Sequence, residues 1–161
     1  MPEAQLDRFL FNVLLDYLSD DDELAVVDRF TTRVDIPPVE ACTNADEIVK
    51  FQWLVRQVPV SEAVNRYAVN LVRATRPGED GAPDVVKRYV HFGASVRATM
   101  FLNLAAKASA LLEGRYHVTQ DDVRNMALPV LRHRVLCNYF AESDGMTVDD
   151  VLTQMLDKVQ G

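Results

Sequence analysis

The chain has 161 residues, 48% hydrophobic and 25% charged, the make-up of an ordinary globular protein long enough to bury a core without staples. Its net charge of -7 argues against a surface built as a whole for nucleic acid or anionic lipid. No run reaches the ~18 consecutive apolar residues of a membrane span, and MPEAQLDRF lacks the basic end and apolar run of a signal peptide. Cys42 and Cys137 form no CxxC pair and read as free, reduced thiols of a cytosolic protein.

Residues 9–17, FLFNVLLDY, are an apolar run of strand length, rich in aromatic and branched side chains, and predict a buried strand. Ser19 then predicts a helix cap, with Asp22 at the capping-box position and Leu24, Val27 and Phe30 on the apolar side. Residues 32–43 contain Pro37-Pro38 and little periodicity, so they predict a loop. Asn44, with Glu47 three residues on, caps a second helix carrying Ile48, Phe51, Leu54 and Val55. Val58-Pro59 ends it, because the residue before a proline is pushed out of helical geometry. Ser61 caps a third helix, whose stripe is Val64, Ala68, Leu71 and Val72 beside Tyr67.

Residues 76–84, RPGEDGAPD, predict a loop, since two glycines and two prolines leave no regular element. Residues 85–90 predict one short helical turn, and Ser95 caps a helix that ends near Gly114 as its left-handed terminator. Thr119 caps the next, with Asp122 at the capping-box position, and Pro129 inside it predicts a kink or two short helices. Residues 137–145 read as irregular. Thr147, with Asp150, caps a last helix carrying Val151, Leu152, Met155, Leu156 and Val159. The sum is an all-α bundle of about six helices preceded by one short β-strand.

Arg97 is the anomaly. It lies in the first turn of the helix after Ser95, where a cation opposes the helix dipole. At about 100° per residue, Phe101, Leu104, Ala108, Leu111 and Leu112 share a stripe, with Arg97 near its centre. Either the side chain snorkels to solvent or pairs with a nearby acid, or it forms an anion site. The second option combines the unpaired amides of a helix N-terminus, capped by Ser95, with a guanidinium fork suited to phosphate. Gly93 would let the backbone come close to such an anion. On the anion reading, Arg97 should either point at an anion or stand unpaired.

Several motifs now point one way. The chain resembles the MoxR family of AAA+ ATPases. PEAQLDRF (2–9) is similar to the family's segment after sensor 1, which ends in an arginine finger, here Arg8. RYVHFGASVRA (88–98) resembles its sensor-2 motif, usually GASPRA, with Arg97 as the sensor arginine. LLEGRYHVTQDDVRNMALPVLRHRV (111–135) resembles the stretch closing the lid domain, and DGMTVDDVL (144–152) its final helix. Val96 departs from the family's proline, which leaves the helix feasible and less preorganised.

The sequence contains no GxxxxGK[ST] loop for the β- and γ-phosphates and no apolar strand ending in paired acids for Mg²⁺. The resemblance therefore implies a C-terminal piece. Residues 1–18 would be the end of the ATPase core and 19–161 a helical lid. It implies a cytoplasmic, bacterial, ring-forming ATPase with chaperone-like activity, partnered by a von Willebrand factor A-domain protein and maturing metal- or cofactor-dependent enzymes. ATP and Mg²⁺ would be bound by the full-length protein, none by this piece, which should not hydrolyse ATP. Arg97 would sense the γ-phosphate, with Gly93 and Ser95 beside the nucleotide, and Arg8 would act on a neighbour's nucleotide. Whether Arg97 acts in cis or in trans stays open.

Lesser signals have plainer readings. Arg132, His133 and Arg134 form a basic cluster better suited to a lid surface or subunit contact than to nucleic acid. His133 and Cys137, four apart, lack further ligands for a metal. Trp53 with Phe51 suits packing, and the acids 20–23 suit a helix start. An unpaired apolar strand at 9–15 would favour pairing between chains or packing across the bundle. The competing reading is a stand-alone helical interaction module without nucleotide function. A weaker third is a DNA-associated helical domain.

Overall fold

The computed structural model describes residues 3–32 and 38–159. Ten helical segments lie among them: α1 (Glu3–Leu6), α2 (Asp20–Thr32), α3 (Ala45–Gln57), α4 (Glu62–Ala74), α5 (Asp84–Tyr89), α6 (Val96–Leu112), α7 (Gln120–Asn125), α8 (Ala127–Leu131), α9 (Tyr139–Ser143) and α10 (Val148–Leu156). Two short strands, β1 (Val90–Phe92) and β2 (Leu136–Cys137), pair antiparallel with Val90 opposite Cys137 and Phe92 opposite Leu136. The chain forms two compact units, one of Met1–Asn12 with Gln52–Gly161 and the other of Val13–Phe51.

The larger unit holds the core. Here α4 packs on α6, α6 also contacts α7 and α8, and α10 closes on α5 and α8. The sequence drives this locally. The side chain of Ser61 accepts from the Val64 amide, and the Thr119–Asp122 and Thr147–Asp150 capping boxes are both complete. Val64, Tyr67, Ala68, Leu71 and Val72 are buried on α4, as are Val151, Leu152, Met155 and Leu156 on α10. Gly114 terminates α6 with φ +75°, the left-handed geometry that glycine adopts without Cβ strain. Pro129 lacks an amide hydrogen, and the expected break falls just before it, at Met126 between α7 and α8.

In the smaller unit, the Ser19 and Asn44 caps form as expected, the Asp22 and Glu47 amides donating to Ser19 Oγ and Asn44 Oδ1 at 3.3 and 3.0 Å. Every described residue of 13–51 is exposed, including Leu24, Val27 and Phe30 of α2 and Ile48 and Phe51 of α3.

Three expectations change. Residues 9–17 form no strand. A strand exists by ladder pairing with another strand, and among the described residues this segment pairs with none, so Leu15 and Tyr17 stand 90% and 99% exposed. Residues 137–145, read as irregular, supply the end of β2 and all of α9. The buried face of α6 is Ala98, Leu102, Ala105, Ala106 and Ala110, while Leu112 is 89% exposed. The helix is apolar nearly all round, so periodicity could not select its face. Four of the five are alanines, whose small side chains allow a neighbouring helix to approach.

Within the larger unit the N-terminal segment is docked on the bundle. Residues 7–12 are bonded to the segment 129–134 of the bundle, the Asn12 amide donating to the Pro129 carbonyl at 2.8 Å.

Candidate functional site

The site lies where the loop after β1 enters α6. Gly93 there is required by packing. A Cβ at this position would fall 2.4 Å from the Thr75 carbonyl oxygen and 2.8 Å from Arg76 Cα. The loop is clipped to the end of α4. The Ala94 amide donates to Thr75 Oγ1 at 2.9 Å, and Arg76 Nε donates to the Ala94 carbonyl at 3.0 Å. Thr75 is fully buried, and its hydroxyl donates in turn to the Val72 carbonyl at 2.6 Å. The close approach expected of Gly93 is thus made to the chain's own backbone.

Ser95 is the N-cap of α6, its Oγ accepting from the Arg97 amide at 3.2 Å. That hydroxyl also donates to Asp7 Oδ2 at 3.2 Å. Arg97 is not unpaired. Its Nη1 donates to Asp7 Oδ2 at 3.1 Å, so the alternative of pairing with a nearby acid is the one realised. The Asp7 carboxylate also offsets the dipole conflict, since it places negative charge beside the positive end of α6. Arg97 lies at the edge of the buried face, its side chain 44% exposed.

The other end of Asp7 is held by Arg134, a member of the basic cluster expected at a lid surface or subunit contact, and it is buried instead. Arg134 Nε donates to Asp7 Oδ1 at 2.9 Å from a side chain only 1% exposed. Its Nη2 donates to the carbonyls of Asp7, at 3.0 Å, and Phe9. Its Nη1 donates to the carbonyls of Leu10, at 3.3 Å, and Val130. These five bonds engage all five guanidinium hydrogens. The guanidinium carbon also lies 4.9 Å from the Phe101 ring centroid, within cation–π range. Burial pushes the Arg134 pKa down and Asp7 opposes that shift, yet arginine remains charged throughout the working pH range.

The neighbouring basic residues are committed in the same way. His133 Nε2 lies 3.1 Å from the Phe9 carbonyl, and its buried Nδ1 has no partner among the described residues. The carbonyl can only accept, so Nε2 carries a proton, and burial lowers the pKa of the ring. Arg132 makes a bidentate pair with Asp149 at 2.8 and 3.2 Å and reaches the Asn12 carbonyl at 3.3 Å. The basic cluster thus fastens residues 7–12 to the bundle, which is not the open basic surface that nucleic acid needs. A cleft of about 200 Å³ remains beside it, lined by Asp7, Phe92, Gly93, Ser95, His133 and Arg134 with Leu136.

Arg8 follows Asp7 directly, is exposed, and makes no ion pair among the described residues. Gly93, Ser95 and Arg97 are thus brought together, and Asp7 links them to the segment carrying Arg8. No signal in residue spacing could have joined Asp7 to Arg134, which are 127 positions apart.

Residues 83–155 match the AAA lid domain family. Chaperone MoxR1 of Mycobacterium tuberculosis is 34% identical over 99% of this chain and 42% of its own length. Protein MoxR of Methylorubrum extorquens is 31% identical over 84% of the chain and 42% of its own length. A crystal structure of a candidate ATPase from Cytophaga hutchinsonii superposes with a TM-score of 0.89 at 34% identity, covering 99% of this chain and 48% of that one. The chain therefore spans less than half the length of these relatives. Residues 83–155 are thus an AAA lid domain, and over the region it spans the chain is similar to the MoxR proteins.

Proposed function

We propose that this chain is the C-terminal lid portion of a MoxR-type AAA+ ATPase and that Arg97 is its phosphate-sensing arginine. The carrying observation is the contrast between two arginines sharing Asp7. Arg134 spends every donor inside the fold, whereas Arg97 spends one among the described residues and keeps a half-exposed guanidinium at the start of α6. A guanidinium placed in this way suits the charge that develops on a transferring phosphoryl group.

In this reading ATP and Mg²⁺ bind between core, lid and a neighbouring subunit. Residues 1–18 belong to the end of the core and 19–161 to the lid. Gly93 and Ser95 set the path and start of α6 beside the nucleotide. Arg8, exposed and without an ion pair among the described residues, reaches a neighbour's nucleotide in trans. The assembly is a cytoplasmic ring with chaperone-like activity, partnered by a von Willebrand factor A-domain protein. No described helix is long and apolar enough to cross a membrane.

The test places Arg97→Ala and Arg8→Ala separately in the full-length protein and measures ATP turnover. Each is expected to lower turnover by about a hundredfold or more while the melting temperature barely moves. Near-normal turnover in either variant removes that residue's assigned role. The chain by itself is expected to release no phosphate from ATP.

A further inference from the structure

We infer that Asp7 is a latch. It parks Arg97, a phosphate oxyanion displaces it, and the exchange passes the state of Arg97 to the segment that carries Arg8. The inference rests on the reading of Arg97 as a phosphate sensor and specifies how that sensor is regulated.

The two carboxylate oxygens of Asp7 are bound unequally. Oδ1 belongs to Arg134, a buried group with all five donors engaged and no path to another partner. Oδ2 is shared by Ser95 Oγ and Arg97 Nη1, at 3.2 and 3.1 Å. Arg97 contributes a single donor, and among the described residues its other four make no hydrogen bond. A half-exposed ion pair of this kind contributes little and is readily exchanged. A phosphate group offers the same guanidinium a second oxygen and a bidentate geometry, which a shared carboxylate oxygen does not. When Arg97 leaves, Asp7 does not lose its charge partner, because Arg134 keeps it.

The consequence is mechanical. Residues 7–10 are tied to the bundle through Arg134 and His133 and, among the described residues, to the start of α6 through Asp7. Anion capture by Arg97 removes part of the tie to α6 and leaves the tie to the bundle intact. Arg8 is the next residue in the chain, so the position of one arginine depends on the partner of the other. Asp7 is thus a positioning residue, since it acts through Arg97 and Arg8.

Sodium pyrophosphate is the probe, titrated into this chain with arginine side chains and aspartate carboxyl carbons isotopically labelled for NMR. The Arg97 Nε–H and Asp7 Cγ signals are expected to move with one midpoint, while the Arg134 Nε–H signal stays in place. An Asp7 Cγ that does not move as Arg97 titrates overturns the latch, without recourse to any variant. Asp7→Asn gives a second measurement. The amide oxygen can still accept from Arg134 Nε, whereas its NH₂ then faces Arg97, donor against donor. Pyrophosphate is expected to bind this variant about two- to fivefold tighter than wild type, the range of an exposed ion pair. Equal or weaker binding, with Arg97→Ala abolishing binding in wild type, overturns the latch and leaves the sensor reading intact. Wild-type affinity in Arg97→Ala overturns the sensor reading and the latch with it.

Discussion

Arg134→Met replaces a buried guanidinium by an apolar chain of comparable length, leaves the carbonyls of Asp7 and Leu10 without their donor, and leaves that of Phe9 with His133 alone. Breaking a buried ion pair costs about 3–5 kcal/mol when the stranded group cannot be rehydrated. Here Asp7 is 25% exposed and keeps its bond to Arg97, and the freed carbonyls belong to a segment that can swing into water. The cost should sit at the lower end, about 3 kcal/mol, and fall on docking of residues 7–12 before it falls on the bundle. That is about a hundredfold in the docking equilibrium.

Amide hydrogen exchange reads this directly. The Asn12 amide, which donates to the Pro129 carbonyl, should exchange about a hundredfold faster in the variant. The Val151 amide, bonded to the Thr147 carbonyl at the start of α10, should keep its wild-type rate. Arg134→Lys keeps the charge and loses the fork, so it should fall between the two. An unchanged Asn12 rate would refute the reasoning. So would equal acceleration at Asn12 and Val151, which would make Arg134 part of the global core.

Asp122 supplies a pH prediction. The Arg115 guanidinium, at 2.5 and 2.9 Å, holds this 3%-exposed carboxylate at about 2, well below 3.8, with the Thr119 amide and hydroxyl assisting. A depressed carboxylate stabilises the fold above pH 3.8 and loses that contribution as pH falls through about 2. Urea unfolding of Asp122→Asn should therefore show a deficit of about 2 kcal/mol at pH 7 that closes toward pH 2, and a deficit independent of pH would contradict it. Gly93→Ala forces a Cβ to within 2.4 Å of backbone that cannot retreat without unpicking the end of α4, so it should cost more than ~2 kcal/mol by thermal melting. If the apolar segment 9–15 associates between chains, sedimentation velocity should show a concentration-dependent dimer that Leu15→Lys abolishes, since Leu15 is 90% exposed. A monomer at all concentrations would count against it.

The sequence by itself determined the elements whose causes are local. Ser61, Thr119 and Thr147 cap helices because their hydroxyls reach amides three residues on, and Gly114 ends α6 because it alone takes a positive φ there cheaply. The MoxR-like motifs and the position of Arg97 at the start of α6 were legible for the same reason. Tertiary structure decided the rest. The buried face of α6 depended on which neighbours came close to its alanines, and a helix apolar all round carries no record of that. Residues 9–17 have strand composition and no strand, because ladder bonds belong to a pair of segments. The partner of Arg97 was equally out of reach. Asp7 stands beside Arg8 in the chain, yet only folding brings it between Arg97 and Arg134, 90 and 127 residues away, where one carboxylate serves both.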